Sequence, residues 1–184
     1  NFVDTNFWTN TIVPEISSCI PLPDGNGVCY NSVLVQNQFD PGQTLNNISD
    51  LIAIHFSLTH SYIGDLTMRI YCPNGQNVLM YNQGGSMNYL TLEAEVCSCP
   101  PSVAVSEYGF SPTATQTIVA YVSGSTGIVL PPANYASVNP LTGLIGCPLN
   151  GNWNFEVCDN WGSDCGINNG WWIEFNNSLL IISP

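Results

Sequence analysis

Positive charge is almost absent from this chain. Its 184 residues hold one Lys or Arg, Arg69, against thirteen Asp and Glu, leaving a formal net charge of −12 and a pI of about 4.1. Phosphate recognition depends on Lys and Arg, so nucleic acid is excluded as a partner. The same shortage removes charge-driven attachment to anionic lipid. Long apolar runs are also lacking: the best candidate, residues 179–182, is of strand length, far below the roughly 18 residues of a spanning helix. No membrane insertion is therefore expected. Charge of either sign is scarce, at 8% of residues against 45% hydrophobic, which separates the chain from charged, apolar-poor polymers that stay unfolded. The length predicts one main domain, residues 19–184, with residues 1–18 as a tether or an extra edge strand.

No C-x-x-C pair and no histidine at zinc-finger spacing accompanies the eight cysteines, Cys19, Cys29, Cys72, Cys97, Cys99, Cys147, Cys158 and Cys165. An even, scattered set reads as disulfides, which predicts residence outside a reducing cytosol. Short closed loops favour Cys19 with Cys29 and Cys158 with Cys165. Cys97 and Cys99 share one face of a strand, so each is expected to take a different partner from Cys72 and Cys147. The chain starts at Asn1 with no basic, apolar leader, so any secretory signal has been removed or lies outside it.

Helical periodicity is hard to find. Short β-branched and aromatic runs recur instead between Gly, Pro and Asn clusters, at residues 32–36, 51–59, 65–71, 77–81, 91–96, 117–122, 151–159 and 169–175. This is an all-β pattern, and eight strands predict a jelly-roll β-sandwich. Ile52, Ile54, Phe56 and Leu58 alternate with Ala53, His55 and Ser57, giving one buried and one wet face. Cys72-Pro73-Asn74-Gly75 is expected to turn a hairpin, since Asn-Gly tolerates positive φ. The Pro, Gly and Ser-rich stretches 100–115 and 123–142 read as long crossovers between sheets.

Several motifs occur in one order: Ile20-Pro21-Leu22-Pro23-Asp24, His60-Ser61-Tyr62-Ile63-Gly64-Asp65-Leu66, Cys72-Pro73-Asn74-Gly75, Gln83-Gly84-Gly85-Ser86, and the run from Asn150-Gly151-Asn152-Trp153 to Asp159-Asn160-Trp161. Together, over about residues 19–176, they resemble the P domain (P/Homo B domain) that follows the catalytic domain of subtilisin-like proprotein convertases. The resemblance implies an eight-stranded, galactose-binding-like jelly roll, and residence on or outside the cell as an accessory module of a bacterial surface or secreted protein. It also implies a structural hydrogen bond at His60. The chain departs from the family in its many cysteines and in having no accompanying protease.

No catalytic residue is predicted. A serine nucleophile needs a positioned His and Asp, and no G-x-S-x-G elbow occurs; His55 is expected to face water or a polar crossover. Glu93 and Glu95 share a strand face, the ordinary mark of a solvated surface and also the minimum for glycoside hydrolysis. The acidic loops are more specific. Asp159-Asn160-Trp161-Gly162-Ser163-Asp164-Cys165-Gly166 is an oxygen-rich loop, Asp24-Gly25-Asn26-Gly27 is a second of similar chemistry, Asp65 is expected at the same end of the sandwich as Asp159, and calcium takes six to eight oxygens. Asp24, Asp65, Asp159 and Asp164 are the candidate ligands, although Asp and Asn also serve as plain turn formers. Trp153 alternates into the core and Trp171 and Trp172 face opposite sides, leaving Trp161 as the exposed indole for a glycan. The sequons at Asn47 and Asn176 are at chance level for this Asn content.

The function expected is a non-enzymatic extracellular module serving adhesion, contact with other protein domains of the same or a neighbouring surface chain, or structural stabilisation. Calcium binding is part of that expectation, and self-association through an edge strand is open. The alternatives are an accessory domain of a secreted protease or other hydrolase, and a glycan-binding module.

Overall fold

The computed structural model describes residues 19–25, 27–91 and 106–180, and they form an all-β sandwich of two sheets. One sheet has the order β1-β9-β3-β6-β7, from Ile20–Pro21, Gly166–Phe175, Leu51–His60, Tyr108–Phe110 and Asn134–Tyr135. The other has the order β2-β8-β4-β5, from Val28–Gln36, Gly151–Asp159, Leu66–Tyr71 and Asn77–Asn82. The predicted run 151–159 matches β8 at both ends, and five others, 32–36, 51–59, 65–71, 77–81 and 169–175, match to within four residues at either end; the run 91–96 lies outside the described residues beyond Thr91. The two-residue strands β1 and β7 and the three-residue β6 are too short to carry a period and went unforeseen. All neighbouring strands are antiparallel except β6 and β7. The sheets close on an apolar interior in which Phe56 stacks with Tyr108, Phe110 and Phe155, and Trp153 is fully buried with its indole N–H on Leu149 O.

Turn chemistry follows the sequence at the β4–β5 hairpin. Gly75 sits at φ +89°, its N–H donates to Cys72 O, and Asn74 Oδ1 accepts from Gln76 N. Two readings are corrected. Residues 117–122 do not form a strand; the helix α1, Ile118–Tyr121, begins there. Thr117 Oγ1 caps it by accepting from Ala120 N, and Ile118 and Val122 are buried while Ala120 between them is exposed, a pattern that one helical face gives and strand alternation does not. Ile52, expected in the core, is 41% exposed. A register shift between Leu51 and Ala53 against β9 leaves it on the outside, after which Ile54, Phe56 and Leu58 bury as the alternation requires.

The wet face expected on β3 is dry. His55, Ser57 and Thr59 are buried, and His55 stacks on Trp172 with ring centroids 4.9 Å apart. Both Trp171 and Trp172, on opposite faces of β9, are out of solvent.

The disulfides overturn the predicted pairing. Cys29 is bonded to Cys158 and Cys72 to Cys147. Loop closure favours short loops only logarithmically, whereas strand register is set by the whole buried face. Antiparallel pairing of β2 with β8 places Cys29 directly opposite Cys158 with Cα atoms 4.0 Å apart. Cys19 and Cys165 are each disulfide-bonded as well. Cys72 and Cys147 bond to each other and so do not take Cys97 or Cys99, which, with Glu93 and Glu95, lie outside the described residues, as do residues 1–18.

Candidate functional site at the acidic end of the sandwich

Three segments meet where β3 ends, β4 begins and β8 runs into β9. His60 closes β3, Asp65 ends a 3-10 turn before β4, and Asp159 ends β8. Asp159 is the hub. Its Oδ2 lies 3.2 Å from His60 Nε2, with both side chains removed from solvent, and its Oδ1 accepts from Trp161 N at 3.1 Å. His60 Nδ1 accepts from Tyr62 N, which leaves the proton on Nε2 for Asp159. Gly166 permits this packing: a Cβ there would lie 2.5 Å from His60 Cδ2 and 2.6 Å from Thr59 O. The structural hydrogen bond that the family resemblance implied for His60 is thus present.

Asn160 ties β4 to the same loop, its side chain donating to Asp65 O and Thr67 Oγ1 and its backbone N–H to Asp65 O. Asp24 reaches across from the β1–β2 connection, Oδ1 accepting from Ser163 N, while Asp164 Oδ1 accepts from Ser61 Oγ. Between these walls is a cleft of about 380 Å³ lined by Tyr62, Asp65, Trp161 and Asp164. Trp161 is 67% exposed.

The cleft is electrostatically unbalanced. Burial first, then the Asp159 and Asp164 carboxylates, raise the Asp65 acid above its ordinary 3.8, with His60 acting against them. Arg69 points elsewhere, to Asn77 and toward Glu156 on the face of the four-stranded sheet. The four aspartates predicted as ligands therefore gather at one end in two roles. Asp159 and Asp24 hold backbone amides of the 160–165 loop, and Asp65 and Asp164 line the cleft. They do not close to within 4.8 Å as a set; among the described residues the group that does is Cys29, Glu156 and Cys158, two of which share a disulfide.

Sequence reasoning missed a second cluster. His55 Nε2 lies 3.0 Å from Glu174 Oε2, and Nδ1 lies 2.9 Å from Glu107 Oε1, close enough for an ion pair though bent out of hydrogen-bond geometry. Glu174 follows Trp172 on β9 with the same outward parity, and that alternation was the available signal.

No family model, no curated protein and no solved structure matches this chain. Among the described residues, no helix is long and apolar enough to cross a membrane.

Proposed function

We propose that this chain is a non-catalytic extracellular module, similar to the P domain, that serves adhesion or protein–protein contact and is stiffened by calcium at its acidic end. The observation that carries this reading is the state of the His60–Asp159 pair. Both imidazole nitrogens are committed, one accepting from Tyr62 N and the other facing Asp159, so the ring has no lone pair with which to take a substrate proton. It anchors the loop instead. The disulfides Cys29–Cys158 and Cys72–Cys147 suit an oxidising compartment.

Asp65 and Asp164 fit calcium through the chemistry of the donor set: hard oxygens facing one cleft, one of them already destabilised as an anion by burial and then by its carboxylate neighbours. Bound calcium would offset that repulsion and add stability in proportion to its occupancy. Thermal melting is expected to rise with millimolar calcium over excess chelator, and Asp65→Asn is expected to abolish the rise. An unchanged melting temperature in the wild-type protein removes calcium from the reading.

A second reading, glycan binding, rests on Trp161. An indole 67% exposed beside Tyr62 and two carboxylates offers a stacking plane with hydrogen-bond acceptors around it. Trp161→Ala is expected to erase glycan-array signals without moving the melting temperature, and an array with no hits for the wild-type chain ends this reading.

A further inference from the structure

The sandwich has four open sheet edges, and three are blunted. The outer edge of β5 is covered where Leu79 O and Met80 O accept from Asn139 N and Val138 N. Strand β7 has two residues and continues into a bridge between Ala136 and Thr117. Strand β1 also has two residues, one of them Pro21. Such coverage, brevity and proline are the usual protections of an edge.

Strand β2 has none of them. It runs for nine residues in unbroken register with β8, and its sequence VCYNSVLVQ contains no Pro and no charge. Among the described residues, no backbone hydrogen bond reaches positions 29–36 from any element other than β8. Val33 and Val35 stand 57% and 58% exposed along it. A nine-residue edge in unbroken register that no described residue covers, beside three protected ones, marks a pairing surface.

We infer that β2 pairs with β2 of a second copy of this chain, antiparallel and two-fold symmetric, joining two four-stranded sheets into one. Charge permits this occupant. Copies of a chain at −12 repel over most of their surfaces, but no charged side chain belongs to β2 itself. Two carboxylates of β8 lie opposite it: Glu156, across from Asn31, is already bonded by Tyr71 Oη–H and faced by Arg69, and Asp159, across from Val28, is buried against His60. The strand is also self-complementary. Pairing centred on Ser32 uses all nine residues: Val28 meets Gln36 of the second copy, and Asn31 meets its Val33. Cys29 meets Val35, continuing one outer face, and Tyr30 meets Leu34 on the inner one. A two-fold axis closes the assembly as a dimer instead of propagating it.

The test uses the full chain in light scattering and sedimentation from micromolar to near-millimolar concentration, with three variants. The wild-type protein is expected to be a dimer that dissociates on dilution. Asn31→Asp with Val33→Asp, at two exposed positions, places carboxylates opposite one another across the axis and is expected to weaken the dimer at least tenfold with an unchanged melting temperature. Asn152→Asp, an exposed site one strand in, is expected to leave the dimer intact. Ser32→Cys sits opposite itself on the axis and is expected to cross-link the pair under mild oxidation. A wild-type chain that stays monomeric throughout overturns the inference. So does a dimer indifferent to the double aspartate, or one in which Ser32→Cys fails to cross-link.

Discussion

Strand β3 carries two histidines, and the carboxylates they meet are in opposite circumstances. His60 and Asp159 have side-chain exposures of 0% and 1%. His55 is nearly as buried, yet its partners Glu107 and Glu174 are 56% and 40% exposed. In the first pair neither group has water to fall back on, so each is held by the other and by backbone amides. In the second, water competes for both carboxylates and screens them. The acidic end of the sandwich is thus built on a dry anchor, and the outer face of the five-stranded sheet on a half-wet clamp.

Removing the anchor is the most damaging way to break this contrast. Asp159→Ala leaves the buried His60 Nε2 without an acceptor, at about 1–3 kcal/mol, and also removes the acceptor of the part-buried Trp161 N. A loss of about 1–3 kcal/mol is a sizeable share of a typical domain's roughly 5–15 kcal/mol and is read by a urea titration. Asp159→Asn, which still offers one acceptor oxygen, should fall between. An unfolding free energy for Asp159→Ala within about 0.5 kcal/mol of wild type would mean the pair is ordinary surface chemistry.

Most of the large architecture was legible in the sequence because it rests on repeated signals. The alternation in β4 and β8, the Asn-Gly turn and the burial of Trp153 each reflect a face or a φ requirement that several residues express together. That Asp65 lies at the end of the sandwich where Asp159 closes β8 was legible from strand ends, whereas the reach of Asp24 to Ser163 N was not. What failed was whatever depends on partners distant in sequence. Cys29 finds Cys158 across 129 residues because β2 lies beside β8, and no local loop rule contains that adjacency. His55 reads as a wet-face residue until Trp172 and two glutamates from separate segments are placed around it.

A smaller effect separates stability from ligand binding in the cleft above the anchor. The folded-state acid of Asp65 is raised, so the native protein holds that proton more tightly than the unfolded chain does. The stabilisation is full below the unfolded value of about 3.8 and is lost as pH rises through the folded one. Asp65→Asn mimics the protonated form. In chelator at neutral pH it should therefore unfold at a higher urea midpoint than wild type, and the gap should close below pH about 3.8. Added calcium should reverse the order, since only the carboxylate gains from the ion. A variant less stable than wild type in chelator would mean that the Asp65 charge is compensated within the fold.

The clamp at His55 should give the smallest change. Glu174→Gln keeps the length and an acceptor oxygen while removing the charge that faces Nε2, and Glu107→Gln does the same at Nδ1. Because both carboxylates are well exposed, each substitution is expected to cost about 0.2–1 kcal/mol, and the cost should shrink in high salt. The double variant tests whether the two carboxylates act on one ring. If both act on the one ring, the two losses should not add, because the substitutions share a partner. Strict additivity would show two independent surface contacts that share a histidine by geometry alone.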